Sequence, residues 1–274
     1  MSISLIDQVI ERMIGAVQND TEIANWHRIP SKPGIGFSEQ LQKELIWSGL
    51  QKDIDGSDVP AKADTDIIGW DWSVPGWLYM MDAEARIKLA ILENDEEILM
   101  FSRLIRNKMY CSINTVYQLS DGRLLESEFA AIVKSGSYFT SSTNSRMRVM
   151  LAMLVGAGWA EAMGDDDMEE PVEGAVEKYA ELGFRIKNYN VTQRYEPVEF
   201  CSHHISCVDG RVKAMPLNWS KDFFRLLHSD NSDARLLQFY QDLKDDPVNL
   251  LRCLKALKLI DWGQQCPRRQ CLPP

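Results

Sequence analysis

The chain has 274 residues, 45% hydrophobic and 26% charged, which are values of a globular protein and exclude a mainly disordered or fibrous one. Its formal net charge of −10 disfavours a protein that coats nucleic acid by charge attraction, but leaves room for an enzyme that handles nucleic acid through a local basic channel. Asp7, Glu11 and Arg12 interrupt the first residues, so no signal peptide is expected, and the longest nearly apolar run, Val149 to Ala160, is too short to span a bilayer.

In chain order, Ile3, Leu5, Ile6, Val9, Ile10, Met13, Ile14 and Val17 recur at three-and-four spacing and predict an amphipathic helix over 3–17. A Pro/Gly-rich loop (29–38) follows, with Ser38 as the cap of a helix over 39–49 whose apolar side is Leu41, Leu45 and Ile46. Residues 56–64 read as a second loop and 64–72 as a short strand-like segment. Residues 77–106 look helical, with a break at the acidic stretch 93–97. Asp121-Gly122 between two β-favouring runs signals a hairpin, and a helix is expected over 141–160. Met163 to Met168 predicts a tight turn between two short strands. A helix over 172–182, strands within 184–193 and 198–212, and helices over 219–243 and 247–260 complete the pattern. Strands and helices alternate without a regular βα repeat, which fits an α+β fold with an antiparallel sheet.

Six cysteines in a chain this long form no dense disulfide framework, and a reducing compartment is the expected setting. Cys201, His203, His204 and Cys207 raise a zinc hypothesis, although their spacing matches no common zinc module; the plainer reading is a turn and strand with partly buried thiols. Cys266 and Cys271 lie in a tail read as flexible.

The chemistry is carried by carboxylates. Asp66 stands near the end of a buried strand, and Gly69 permits a turn that lets Asp71 face the same pocket. Asp165 and Asp166 at a hairpin turn repel each other, a cost that a divalent cation would cancel. Ser135, Gly136, Thr140 and Asn144 form a loop ahead of a helix, rich in hydroxyls, an amide and free backbone donors. Each feature alone is usually a solvated turn or a cap. Together they suit hard cations such as Mg²⁺, with two ions about 4 Å apart serving phosphoryl or nucleotidyl transfer.

Residues 66–74 (DIIGWDWSV), 135–157 (with S-G-x₃-T-x₃-N intact), 162–169 (AMGDDDME), 181–187 (ELGFRIK) and 199–204 (EFCSHH) resemble, in order, five palm motifs of viral RNA-dependent RNA polymerases. The likeness is to the positive-strand plant viruses of the sobemovirus and polerovirus–enamovirus type, and 29–36 (IPSKPGIG) resembles their upstream region. The resemblance implies a right-hand polymerase: partial fingers (1–60), a palm with inserted fingers helices (61–204), and a small helical thumb with a flexible tail (205–274). It implies Asp66 and Asp165 as principal metal ligands with Asp166 assisting, and two Mg²⁺ ions that Mn²⁺ can replace. Asp71 and Asn144 would recognise the ribose, supported by Ser135, Gly136 and Thr140. Lys187 would be the general acid for pyrophosphate; its alternative is a solvated strand-end lysine. Phe200, Cys201 and Ser202 would belong to a hairpin that grips the primer.

RNA template and product, ribonucleoside triphosphates and other viral replication proteins would be the partners, at replication complexes peripheral to membranes in the host cytoplasm. The chain departs from the pattern at Asp167, where serine is expected; that acid would adjust cation affinity or face solvent. It also lacks the basic fingers motif expected ahead of 1–15, so a polyprotein fragment or a truncated gene model is expected, with Lys32, Arg146 and Arg148 as thin compensation. Arg146 and Arg148 read equally well as solvent-facing. The rivals are a reverse transcriptase, disfavoured by Asp71 and Asn144, and a fragment that only binds RNA or assembles with viral proteins. Acids outnumber bases by seven in 161–200, and bases outnumber acids by three in 201–274, which suits a thumb near template.

Overall fold

The computed structural model describes residues 3–53, 55–126, 132–228 and 232–257. The first helix, α1 (Leu5–Ala24), starts at Ser4, whose Oγ accepts the Asp7 N–H at 3.1 Å. Then come α2 (Gln40–Gly49), β1 (Ala61–Ile67), the single turn α3 (Trp70–Ser73) and α4 (Gly76–Leu89). The acidic break is real: Asn94 caps α5 (Asp95–Ile113), and three acids sit in its first turn, where the helix dipole favours them. The Asp121-Gly122 hairpin joins β2 (Val116–Gln118) to β3 (Leu124–Glu126). Helix α6 (Thr140–Val155) stops short of residue 160 because Gly156 takes a left-handed conformation and ends it. Strands β4 (Ala160–Met163) and β5 (Asp166–Glu169), helix α7 (Ala175–Glu181) and strands β6 (Ile186–Gln193), β7 (Val198–Phe200), β8 (His203–Val208) and β9 (Arg211–Pro216) follow. The helix expected over 219–243 is two helices, α8 (Trp219–Leu227) and α9 (Ser232–Leu243), before α10 (Pro247–Ala256). Cys266 and Cys271 lie outside the described residues.

The chain forms two compact units, residues 1–35 with 49–194 and residues 36–48 with 195–274. The first holds an antiparallel sheet in the order β4-β5-β1-β6. Along β1 the side chains of Ala63, Thr65 and Ile67 are buried and those of Asp64 and Asp66 are half-exposed, the two-residue period of a strand. Trp70, Leu78, Ile105, Met109, Met147, Leu151, Tyr179 and Phe184 form the core. Burying each such side chain is worth about 1.5–3 kcal/mol.

Helix α1 forms as the periodicity requires but buries its polar side. Met13 and Val17 are 79% and 84% exposed, whereas Glu11, Gly15, Asn19 and Glu22 are buried. The reason is a buried ion network. Arg86 donates to Asp82, Gln18, Asn19, Ser142 and Thr143, and Arg146 donates to Asp82 Oδ1 at 2.6 Å and to both Glu22 oxygens at 2.5 Å. Buried charges are tolerated only when paired, so α1 must present acids and amides inward. Arg146 is therefore not solvent-facing. Lys32 is buried too, paired with Glu161 at 2.9 Å, so neither is placed to neutralise phosphate.

In the second unit α2 buries Lys43, Ile46 and Trp47, while Leu41 is 67% exposed, a face rotated from the expected one. Lys43 pairs with buried Asp245, which explains the rotation. Ser38 turns its hydroxyl to Asp242 rather than to the helix end. Strands β7, β8 and β9 form an antiparallel sheet, and α8–α10 close around Phe239, Leu243 and Cys253. Cys201 and Ser202 take left-handed conformations (φ 50° and 58°) in the turn after Phe200. His203 and His204 are neighbours on β8 and project to opposite faces. His203 instead stacks on Phe37, with ring centres 4.2 Å apart. Among the described residues no three His, Cys, Asp or Glu side chains gather as a metal site, and Cys201, His203, His204 and Cys207 lie in a turn and a strand.

Candidate active site

One end of the four-stranded sheet gathers the acidic segments. Asp66 is the penultimate residue of β1 and lies opposite Asn188, beside Lys187 near the start of β6. Met163 pairs with Asp166, so Gly164 and Asp165 form the β4–β5 turn at the same end. Gly164 has φ 67°, a conformation that side chains resist, and its N–H donates to Ser145 Oγ at 2.9 Å. Gly69, at φ 63°, turns the chain after β1 and starts α3, which carries Asp71. Asp66, Asp71, Asp165, Lys187 and the exposed Trp72 line one open cleft of about 370 Å³.

The electrostatics are those of crowded like charges. Burial and the Asp165 and Asp66 carboxylates push Asp166 up to about 6. Burial, then Asp165, raises Asp71. Lys187 Nζ donates to Asp66 Oδ2 at 2.6 Å, and that bond raises the lysine above its ordinary value. Lys187 thus pairs with a cleft carboxylate while remaining solvated near the start of its strand. Both partners remain well exposed, so solvent screens the pair.

The loop and α6 candidates are only partly brought in. Ser135 and Gly136 are exposed, and Gly136 has φ 87°. Thr140 Oγ1 donates to the Lys134 carbonyl at 2.6 Å. Thr140 and the buried Asn144 line a separate hollow of about 20 Å³ beside Tyr79, Lys134 and Ser137, apart from the cleft that holds Asp71. Glu11 secures this loop, accepting from Ser137 Oγ at 2.8 Å and Tyr138 N–H at 2.7 Å.

Asp167 neither faces solvent nor joins the cleft. One residue beyond Asp166 on a strand, it projects to the opposite face and is 2% exposed. There Arg148, equally buried, donates to Asp167 Oδ2 at 3.2 Å, to the Asp165 carbonyl at 3.2 Å and to Thr65 Oγ1. The third supposed compensating base is therefore also internal. Glu169, two residues further on the same face, accepts from the Tyr179 hydroxyl. Burial and the Asp167 charge push Glu169 up to about 8, and burial raises Asp167 as well. One guanidinium faces two carboxyls, and Asp167 Oδ1 and Glu169 Oε1, both buried without a hydrogen-bond partner, are where a proton held by Glu169 would sit. Sequence reasoning missed this cluster; an arginine set among Met147, Val149, Met150 and Leu151 was the available signal.

Among the described residues no three carboxylates stand together as a ready cation site. The donors nevertheless suit one: they are all oxygen, carried on two adjacent turns, and their repulsion is recorded in Asp166.

The fold is that of a palm-type polymerase. It matches the crystal structure of the RNA-dependent RNA polymerase of a human picobirnavirus with a TM-score of 0.64 at 13% identity, over 90% of this chain and 50% of that one. An insertion-loop deletion mutant of the same enzyme gives 0.67 at 13% identity, over 93% and 52%. The sequence profile of the viral RNA-directed RNA polymerase family covers residues 1–219, and the chain belongs to that family. The replicase polyprotein P2AB of Southern cowpea mosaic virus is 46% identical over 90% of this chain and 25% of its own length. Protein P1-P2 of potato leafroll virus is 37% identical over 96% of this chain and 25% of its own length. The chain thus spans about a quarter of these relatives.

Proposed function

We propose that the chain carries the catalytic cleft of an RNA-directed RNA polymerase that copies viral RNA from ribonucleoside triphosphates. The observation that carries the reading is the meeting of Asp66, Asp71, Asp165 and Lys187 in one open cleft at the end of an antiparallel sheet. Residues 61–204 are read as palm, 1–60 as part of the fingers and 205–274 as thumb and tail.

Asp66 and Asp165, with Asp166 assisting, would hold Mg²⁺ or Mn²⁺, whose chemistry is to make a 3′-hydroxyl more acidic and to offset charge on the reacting phosphate. The hydroxyl oxygen bonds to the α-phosphorus, and the α–β phosphoanhydride breaks. Lys187 has a proton to give to the departing pyrophosphate. Asp71 accepts from the ribose 2′-hydroxyl, which distinguishes RNA precursors from DNA precursors. Asn144, Thr140, Ser135 and Gly136 would support that recognition through the segment ahead of α6, whose Val133 N–H donates to the Asp71 carbonyl at 2.9 Å. RNA, nucleoside triphosphates and other viral replication proteins are the partners, at replication complexes peripheral to membranes in the host cytoplasm. No helix among the described residues is long and apolar enough to cross a membrane.

The test is template-dependent incorporation of labelled nucleotide with Mg²⁺. It compares this chain, its Asp165→Ala variant and a longer chain carrying the residues that precede the matched region in the relatives. Incorporation that Asp165→Ala abolishes supports the reading. None from either active-site-intact chain refutes it, and a preference for dNTPs would point to a reverse transcriptase.

A further inference from the structure

Arg148 lies beneath the sheet, on the side away from the cleft, yet it touches every segment that bears a cleft carboxylate. Its Nε donates to the main-chain carbonyl of Asp165 at 3.2 Å. Its Nη2 donates to Thr65, the residue before Asp66, and to Asp167, the residue after Asp166, at 3.2 Å. Its guanidinium carbon lies 5.5 Å from the ring centre of Trp70, the residue before Asp71. Strand alternation makes this arrangement work: Asp66 and Asp166 share one face of the sheet, and Thr65 and Asp167 point from the other to Arg148.

We infer that Arg148 is the positioning residue of the cleft, a single guanidinium that fixes the spacing of the four acids by fastening their immediate neighbours from below. This inference rests on the polymerase reading. The carboxylates repel, and left alone their turns would open. A planar fork with fixed donor directions can hold a carbonyl, a hydroxyl and a carboxylate at once; the ammonium of lysine is a point charge and cannot. Stability alone does not account for the residue. A buried ion pair is often replaceable by apolar groups at no loss, so keeping a fully buried arginine here has a geometric reason. Supports of this kind behind metal ligands typically change metal affinity by about 10–100-fold when lost.

The experiment uses the full chain and two variants, Arg148→Lys and the charge-free pair Arg148→Met with Asp167→Asn. Amide exchange is followed in the segment 163–166 and, as a reference, in β6; Mn²⁺ affinity is followed by electron paramagnetic resonance. Asp165→Asn serves as the control that removes a ligand and leaves the support. The expected result is thermal unfolding close to that of the parent chain, exchange in 163–166 faster by about tenfold with β6 unchanged, and Mn²⁺ bound about tenfold more weakly. Asp165→Asn should weaken Mn²⁺ without hastening exchange. Unchanged exchange in 163–166, or an acceleration shared equally by β6, overturns the inference by making Arg148 a general support of the fold. If the charge-free pair does not fold, Arg148→Lys decides by the same readings. If neither the parent chain nor the longer chain binds Mn²⁺ or incorporates nucleotide, the polymerase reading fails instead, and exchange still judges Arg148.

Discussion

Replacing Glu169 by glutamine should stabilise the protein, and by more as the pH rises. In the folded chain Glu169 is buried beside Asp167 and keeps its proton up to about pH 8, whereas an unfolded glutamate loses it near 4.5. A raised carboxyl contributes fully below pH 4.5, and its contribution falls as pH climbs to about 8 and is flat beyond. Each pH unit in that window is worth about 1.4 kcal/mol, so the whole span amounts to roughly 5 kcal/mol as an upper bound. Glutamine has nearly the same shape and cannot ionise. Its amide can donate to Asp167 Oδ1, and its carbonyl can accept from the Tyr179 hydroxyl, which now donates to Glu169. Urea unfolding of both proteins at pH 5, 6, 7 and 8 reads the difference directly. Asp166 and Asp71 titrate in both proteins, so their contributions cancel. The difference should be under about 1 kcal/mol at pH 5 and reach several kcal/mol at pH 8. A difference independent of pH, or one that shrinks as pH rises, would refute the shared-proton account of this cluster.

Asp167→Ser, conservative if Asp167 met solvent, should instead destabilise the fold by about 1–3 kcal/mol, because Arg148 loses a hydrogen-bonded carboxylate and only Glu169 is left to balance its charge; an unchanged midpoint in denaturant titration would show the pair is not needed. Gly15→Ala should cost about 1–3 kcal/mol, because the added carbon would lie 2.0 Å from Phe139 Cε1; an unchanged melting temperature would mean that α1 and the 135–140 loop do not pack as described. Mn²⁺ binding at pH 6 should release protons, since Asp166 is half-protonated there. Calorimetric titration in two buffers of different ionisation enthalpy measures the release, and identical heats would contradict the crowded-carboxylate geometry.

Local signals carried a large part of this protein. Gly69, Gly122 and Gly164 sit at positive φ where the turns were read, and Asn94 caps the helix after the acidic break. The order of strands and helices, the hairpin at Asp121-Gly122 and the placing of Asp66 and Asp165 at turns all follow from residues within a few positions of one another. So does the purely local failure of adjacent His203 and His204 to share a ligand, which strand alternation decides.

Facing was not legible in the same way. The helix α1 was evident from its periodicity, but the side it buries depends on Arg86, Arg146 and the 137–139 loop, all distant in sequence. Lys32 and Arg148 looked like cations for phosphate until tertiary structure supplied Glu161 and Asp167 as partners. Asp165, Asp166 and Asp167 are one acidic run in the sequence. Only the sheet separates them, with Asp165 and Asp166 at the cleft and Asp167 sealed beneath it against Arg148. Sequence by itself determined where the chain turns and which residue types reach the turns, because those choices are set by local backbone sterics. Which charges meet solvent and which meet each other was decided by the fold, because burying a charge is tolerable only where distant segments bring it a partner.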